Sequence, residues 1–226
     1  MAGTGHAQLR GDDVLLRVRD LVVQFPAGRR RVVHAVSEVT FDVTEGETLG
    51  IVGESGCGKS TVARAIIRLV DITAGEVQFQ GQDLADLEGE DLRRVRPSLQ
   101  MIFQDPISSL NPRRRVRDVI GEGLAVWGDD IGSWSRDRID ELMEAVGVEA
   151  RYGDRRPHEF SGGQCQRIGI ARALALDPKV LICDEPVSAL DVSIQAQILN
   201  LIQDMKRRYG LTVLFISHDL SVVKNV

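Results

Sequence analysis

The apolar residues of the chain change period several times, and each change marks an element. "LLRVRDLVVQF" (residues 15–25) alternates apolar with polar, "RRRVVHAVSEVTFDV" (29–43) does the same, and "EGE" (45–47) is a turn, which predicts a small antiparallel sheet. "TLGIV" (48–52) is a short, fully apolar run that meets Gly53, and "STVARAIIRLV" (60–70) after it has helical spacing. A glycine loop therefore sits between a buried strand and a helix. From 105 to 157 strand signals vanish, and "DRIDELMEAVGV" sets Ile139, Leu142, Met143 and Val146 on one helical face. A helix beginning near Ser161 leads to the buried strand "KVLICDE". "AQILNLIQDMKRR" follows, with Ile198, Leu201, Ile202 and Met205 in phase, and "TVLFIS" is a further buried strand. Strands alternating with helices predict an α/β fold whose parallel sheet is covered on both faces.

Composition narrows this picture without redirecting it. At 226 residues, with 43% hydrophobic and 27% charged residues, the chain has room for one sizeable domain with its own core. A net charge of -5 argues against a dedicated nucleic-acid binder, whose footprint would be basic. The three cysteines, Cys57, Cys165 and Cys183, are odd in number and unpaired in spacing, so they suit a reducing compartment better than a disulfide framework. "MAGTGHAQLRGDD" (1–13) lacks the apolar core of a signal peptide and reads as a disordered leader, and no run is long enough for a membrane span.

"GESGCGKST" (53–61) carries G-x-x-x-x-G-K-[ST] in full between a strand and a helix. The residues are Gly53, Glu54, Ser55, Gly56, Cys57, Gly58, Lys59, Ser60 and Thr61. Backbone N–H groups of such a loop converge on the β-phosphate of a nucleotide, Lys59 reaches the β- and γ-oxygens, and Ser60 offers its hydroxyl to Mg²⁺. A glycine-rich turn that merely contains lysine is the competing reading, and the strand–loop–helix context speaks against it. In "VLICDEP" (180–186) the adjacent carboxylates stand behind an apolar run that is expected beside the loop strand, so Asp184 holds the Mg²⁺ shell through water and Glu185 polarises an attacking water. His218 ends "FISH", where it reaches the γ-phosphate or is merely structural. Gln104 in "MIFQDP" stands where core meets helical insert, placed to ligate Mg²⁺. Cys57 and Cys183 read as packing residues, and His6 and His34 show no role. The tryptophans, Trp127 and Trp134, read as locally packed in a polar loop of the insert.

"HEFSGGQCQRIGIARAL" (158–174) presents a second phosphate-type turn at a helix N-terminus, equivalent to roughly +0.5 charge. "GESGCGKST", "FQDP", "FSGGQ", "LICDEP", "SALD" and "ISHD", in this order and spacing, resemble the ATP-binding subunits of ABC transporters over residues 15–226. The wording of "QMIFQDPISSLNPR", "PHEFSGGQ", "CDEPVSALDVSIQAQILNL" and "LFISHDLSVV" is similar to the oligopeptide/dipeptide importer ATPases, in particular the F-type second member of their paired subunits.

The resemblance implies a nucleotide core (14–104 and 160–226) with an N-terminal antiparallel subdomain and an inserted helical subdomain (105–159). It implies that two such domains meet head to tail, so that Ser161, Gly162, Gly163 and Gln164 cap the γ-phosphate held by a partner's loop. Asp191 of "SALD" then lies at the seam, His218 becomes the γ-phosphate switch and Phe25 stacks on adenine, although Phe25 also reads as an edge-strand core residue. ATP and Mg²⁺ are the implied ligands. A paralogous ATPase or a second copy, two permease subunits and an extracytoplasmic binding protein are the implied partners, and the place is the cytoplasmic face of the membrane. A soluble ABC ATPase switching on DNA or ribosomes is the alternative. Two departures stand out: Cys165 where the family usually has arginine or lysine, read as loss of a charge-assisted contact near the partner's phosphates, and the absence of the C-terminal extension from residues up to 226.

Overall fold

A computed structural model describes residues 10–11, 14–28, 31–131 and 135–223. The N-terminal half forms a four-stranded antiparallel sheet. β1 (Leu16–Pro26), β2 (Val32–Val43), β4 (Ala74–Phe79) and β5 (Gln82–Asp83) lie in the order β2-β1-β4-β5. The alternation that predicts β1 works as expected, burying Leu16, Val18, Leu21 and Val23. Its pairing with β2 is interrupted: Val23 faces Val36 and Gln24 faces His34, which leaves Ala35 as an unpaired bulge residue. β4 and β5 belong to this sheet although "AGEVQFQGQD" holds only two buried apolar residues, Val77 and Phe79, too few to announce them.

The second sheet is parallel. It comprises β3 (Thr48–Val52), β6 (Leu99–Ile102), β7 (Val180–Asp184) and β8 (Thr212–Ser217), in the order β3-β8-β7-β6. This corrects one expectation: β7 does not lie beside β3, because β8 runs between them, pairing Ile51 with Ile216 on one edge and Asp184 with Ile216 on the other. Strand order is a long-range property that an apolar run does not encode. The sheet separates two cores. Leu181, Cys183, Val213 and Phe215 point into one, and Val180, Ile182, Leu214 and Ile216 into the other. The first core holds α3 (Val116–Ile120), α5 (Arg136–Ala145), α6 (Gly162–Leu174) and α7 (Val192–Tyr209); the second is built on α1 (Lys59–Ile66) and the antiparallel sheet. α2 (Gly89–Val95) precedes β6, and α8 (Leu220–Val223) follows β8.

The helical insert follows the predicted phases. Ile139, Leu142, Met143 and Val146 are buried, as are Ile198, Leu201, Ile202 and Met205 of α7. Inside the insert the buried Arg117 donates to Asp140 (2.7 Å) and to the carbonyl of Ala150 (2.6 Å), and pairs with Asp154 at 3.1 Å. Trp127 is helical and not in a loop. It lies on α4 (Glu122–Ile131), its Nε1 donates to the carbonyl of Arg93 on α2 (3.1 Å), and the Arg93 guanidinium stacks 5.8 Å from its ring. Trp134 lies outside the described residues, as do 1–9 and 12–13 of the expected leader. Arg10, within that leader, is tied down: its N–H donates to Asp42 (2.5 Å) and its guanidinium to both carboxylate oxygens of Glu47 (2.5 and 2.7 Å).

Candidate functional site

The loop between β3 and α1 is shaped by its glycines. Gly58 caps α1 in a left-handed conformation, φ +101°, and a Cβ there would lie 2.1 Å from the carbonyl oxygen of Ala35, so no side chain fits. Lys59 is buried, and its ammonium donates to the carbonyls of Gly53 (2.8 Å) and Glu54 (2.7 Å) and more weakly to the Cys57 sulfur (3.9 Å). Cys57 is half-buried against Gly53 and plays the packing part expected of it. Cys183 is fully buried, and loss of solvent holds its thiol far above its usual range, so it stays neutral.

Ser60, the next residue of α1, donates to Asp184 Oδ1 at 2.7 Å. Asp184 is buried at the end of β7, and desolvation raises its pKa against the opposing Ser60 hydrogen bond and the charges of Arg64 and Lys59. Glu185 follows with φ +46°, an uncommon conformation for a side chain that has a Cβ. That turn brings its carboxylate under three groups. His218 Nδ1 donates to Oε2 at 3.0 Å, Gln104 Nε2 donates to the same oxygen at 3.4 Å, and the Lys59 ammonium is 3.9 Å from Oε1. A carboxylate held from three sides while 12% exposed is fixed in position, which a group that must aim at one water needs.

Lys59, Ser60, Gln104 and Glu185 line one cleft of about 400 Å³, together with Val33, His34, Ala35, Ser55, Gly56, Gly58 and Thr61, whereas Asp184 touches it only through Ser60, and His218 lines a smaller adjoining pocket that shares Glu185. Sequence reasoning assigned nothing to His34, because its entry into the cleft depends on the β-bulge. Phe25 is half-exposed at the cleft's edge, in register with Val33. The donors offered to a metal are a serine hydroxyl, a carboxylate and an amide carbonyl, hard oxygens of the kind Mg²⁺ takes alongside substrate phosphates.

Ser161, Gly162, Gly163, Gln164 and Asp191 do not line this cleft. Ser161 caps α6: its Oγ accepts from Gln164 N (3.4 Å), and Gln164 Oε1 accepts from Ser161 N (3.0 Å), a reciprocal capping box. Gly163 packs so closely on α7 that a Cβ would lie 2.7 Å from Ile194. Asp191 is the exposed N-cap of α7, next to Val192, which is 81% exposed. Cys165 corrects an expectation. Its side chain is fully buried, its Sγ donates to the carbonyl of Pro157 (3.4 Å), and desolvation raises its pKa. One residue past the exposed Gln164 the helix has already turned inward, so position 165 addresses the insert's core and not a partner's phosphates.

A parallel sheet with a glycine loop at the C-terminal end of one strand, a Ser–Asp pair beneath that loop and a braced glutamate beside it define a P-loop NTPase. The family model described as "ABC transporter" matches residues 36–188, and the chain belongs to that family. It is 53% identical over 230 residues to the oligopeptide transport ATP-binding protein OppF of Salmonella typhimurium, a match covering 98% of this chain and 69% of that protein. It is 51% identical over 215 residues to the dipeptide transport ATP-binding protein DppF of Lactococcus lactis subsp. cremoris, covering 94% and 69%. Among solved structures it resembles a dimeric ATP-binding cassette in a post-hydrolysis state bound to ADP and Pi, with a TM-score of 0.82 at 29% identity, covering 93% of this chain and 90% of that one.

Proposed function

We propose that the chain is the ATP-hydrolysing motor subunit of a peptide importer, bound beneath the membrane to two permease subunits that an extracytoplasmic binding protein supplies with cargo. The observation that carries the catalytic part is the Glu185 carboxylate, braced by His218 and Gln104 in a cleft that Lys59 and Ser60 also line, with Asp184 behind Ser60. Identity of 53% to an oligopeptide transport ATP-binding protein across nearly the whole chain supports the cargo class.

In this reading Phe25 and Val33 face the adenine. The backbone N–H groups of 54–61, with the Lys59 ammonium, bind the β- and γ-phosphates. Ser60, Gln104 and, through water, Asp184 hold Mg²⁺, which when bound neutralises phosphate charge. Glu185 accepts a proton from water as its oxygen attacks the γ-phosphorus and the bond to the bridging β–γ oxygen breaks, leaving ADP and phosphate. A general base so placed contributes about 10²- to 10⁴-fold. His218 positions that carboxylate and reaches the γ-phosphate.

The exposed capping box at Ser161 to Gln164 offers unpaired N–H groups and a positive helix end with no phosphate within its own chain. A partner ATPase, paralogous or identical, supplies that phosphate, with Asp191 at the seam. A groove of about 340 Å³ between core and insert, lined by Leu69, Phe103, Val126, Trp127 and Arg172, suits an amphipathic helix of a permease. The test is uptake in membrane vesicles carrying the chain with its permeases. Peptide uptake should require ATP and stop with Lys59→Ala. Peptide uptake indifferent to that substitution would reject the proposal.

A further inference from the structure

The bulge in β2 changes what the strand presents to the nucleotide cleft. In a regular strand neighbouring side chains point to opposite faces, so His34 and Ala35 could not both line one cleft. Here Val23 pairs with Val36 and Gln24 with His34, so Ala35 is the extra residue and lines the cleft together with His34, while Val33, in regular register with Phe25, lines it along the open edge of the sheet that β2 forms. Re-aiming a side chain is a recurrent use of such bulges beside functional sites. The same bulge presses the Ala35 carbonyl against the glycine loop, where it excludes any side chain at Gly58.

His34 has a side-chain neighbour in the sheet. Gln24 Nε2, an amide nitrogen that can only donate, lies 3.2 Å from His34 Nδ1. With Nδ1 accepting from that amide, the hydrogen of the neutral ring sits on Nε2, which no group among the described residues engages. The residue occupies an intermediate place along the cleft. On one side Val33 and its register partner Phe25 are half-exposed apolar surface suited to a base; on the other Ala35 abuts the phosphate loop. Val33 to Ala35 is about 7 Å along the strand, the stretch a sugar and its first phosphate occupy between base and β-phosphate.

We infer that His34 is a nucleotide-binding residue of this chain, its imidazole Nε2–H donating to the ribose and ribose-side oxygens of ATP. The inference rests on the nucleotide reading of the cleft given above. It adds to the phosphate loop a contact that reads the nucleoside, and so distinguishes ATP from a bare polyphosphate.

The experiment compares dissociation constants of ATP and inorganic tripolyphosphate, each with Mg²⁺, for the wild-type chain, His34→Ala and His34→Gln. His34 is exposed, so the variants should fold, which circular dichroism verifies. His34→Ala should weaken ATP about five- to tenfold, the loss of one hydrogen bond to a polar ligand, and leave tripolyphosphate within about twofold of wild type. His34→Gln keeps an N–H donor and should recover most of the ATP affinity. Unchanged ATP affinity in His34→Ala would overturn the inference. An equal loss for tripolyphosphate would do so as well, because the effect would then run through the loop, and a glutamine variant as weak as alanine would remove the hydrogen bond. If the wild-type chain bound neither compound, the nucleotide reading itself would fall, an outcome separate from the other three.

Discussion

Ser60 Oγ and Asp184 Oδ1 lie 2.7 Å apart although the strands that lead to them are not neighbours. β8 fills the space between β3 and β7, and the glycine loop carries Ser60 far enough across to close the gap. The pair therefore depends on the loop's shape as much as on the sheet. Asp184→Asn, which keeps the size and the acceptor but removes the charge, should lower Mg²⁺-dependent ATP turnover about 10- to 100-fold. Steady-state ATPase rates across a Mg²⁺ titration measure this, and a full rate at saturating Mg²⁺ would show that Asp184 only braces Ser60.

Glu185→Gln keeps both hydrogen-bond neighbours of the side chain and removes its basicity. Turnover should fall about 10²- to 10⁴-fold while ATP stays bound, and because ATP is then not consumed the dimer should persist. Light scattering with ATP present reads the dimer, and phosphate release reads turnover. Hydrolysis near the wild-type rate would assign the base elsewhere.

Gly58→Ala tests the contact between loop and bulge. The substitution demands a Cβ at φ +101° and 2.1 Å from the Ala35 oxygen, so the loop or β2 must shift. Stability should drop by about 2 kcal/mol and ATP binding should be lost, measured by urea unfolding and by nucleotide titration. Retained affinity would mean that β2 yields without disturbing the loop.

Cys165→Arg should act on folding before it acts on ATP. The thiol is fully buried in an apolar core, where an arginine would carry a charge out of water, so the variant should lose about 3 kcal/mol or more, whereas Cys165→Ala should lose about 1 kcal/mol. Denaturant midpoints separate the two. An arginine variant as stable as wild type, with altered ATP affinity, would restore the view that this position faces a partner.

Acid should loosen the N-terminal clasp. Arg10 holds the Glu47 carboxyl down at about 2 from its ordinary 4.5, so its contribution is fully present above pH 4.5 and is lost as the pH falls towards 2. Arg10 is largely exposed, so water screens the clasp and keeps its contribution small. Arg10→Ala should therefore be slightly less stable than wild type at pH 7, and the difference should shrink through that window. A constant difference down to pH 2 would place the stabilisation outside the ion pair.

What the sequence revealed was chiefly local. The strand–loop–helix at 48–66, the cap at Ser161 and the apolar phases of α5 and α7 are set by spacing within one or two turns, and all are visible as patterns. β4 and β5 were missed because β4 buries only Val77 and Phe79, near its end, and β5 has two polar residues, which leaves little period to detect. The position of β8 between β3 and β7 depends on pairings across more than a hundred residues. The inward turn of Cys165 follows from where the rest of the insert packs on α6. His34 was unreadable for a sharper reason, since one extra residue in β2 changes which face its neighbours share, and only pairing with β1 reveals the extra residue.

The two cores on either side of the parallel sheet make residue parity in β7 and β8 a kind of address. Odd-numbered positions there speak to the helical side and even-numbered ones to the side of the glycine loop. Trimming Ile182 to valine removes one methylene, about 1 kcal/mol, from the wall behind α1 and the glycine loop, whereas a similar trim at Leu181 is felt on the side of α6. Two thin strands thus serve as a party wall through which the glycine-loop half and the helical half can each be softened without re-furnishing the other.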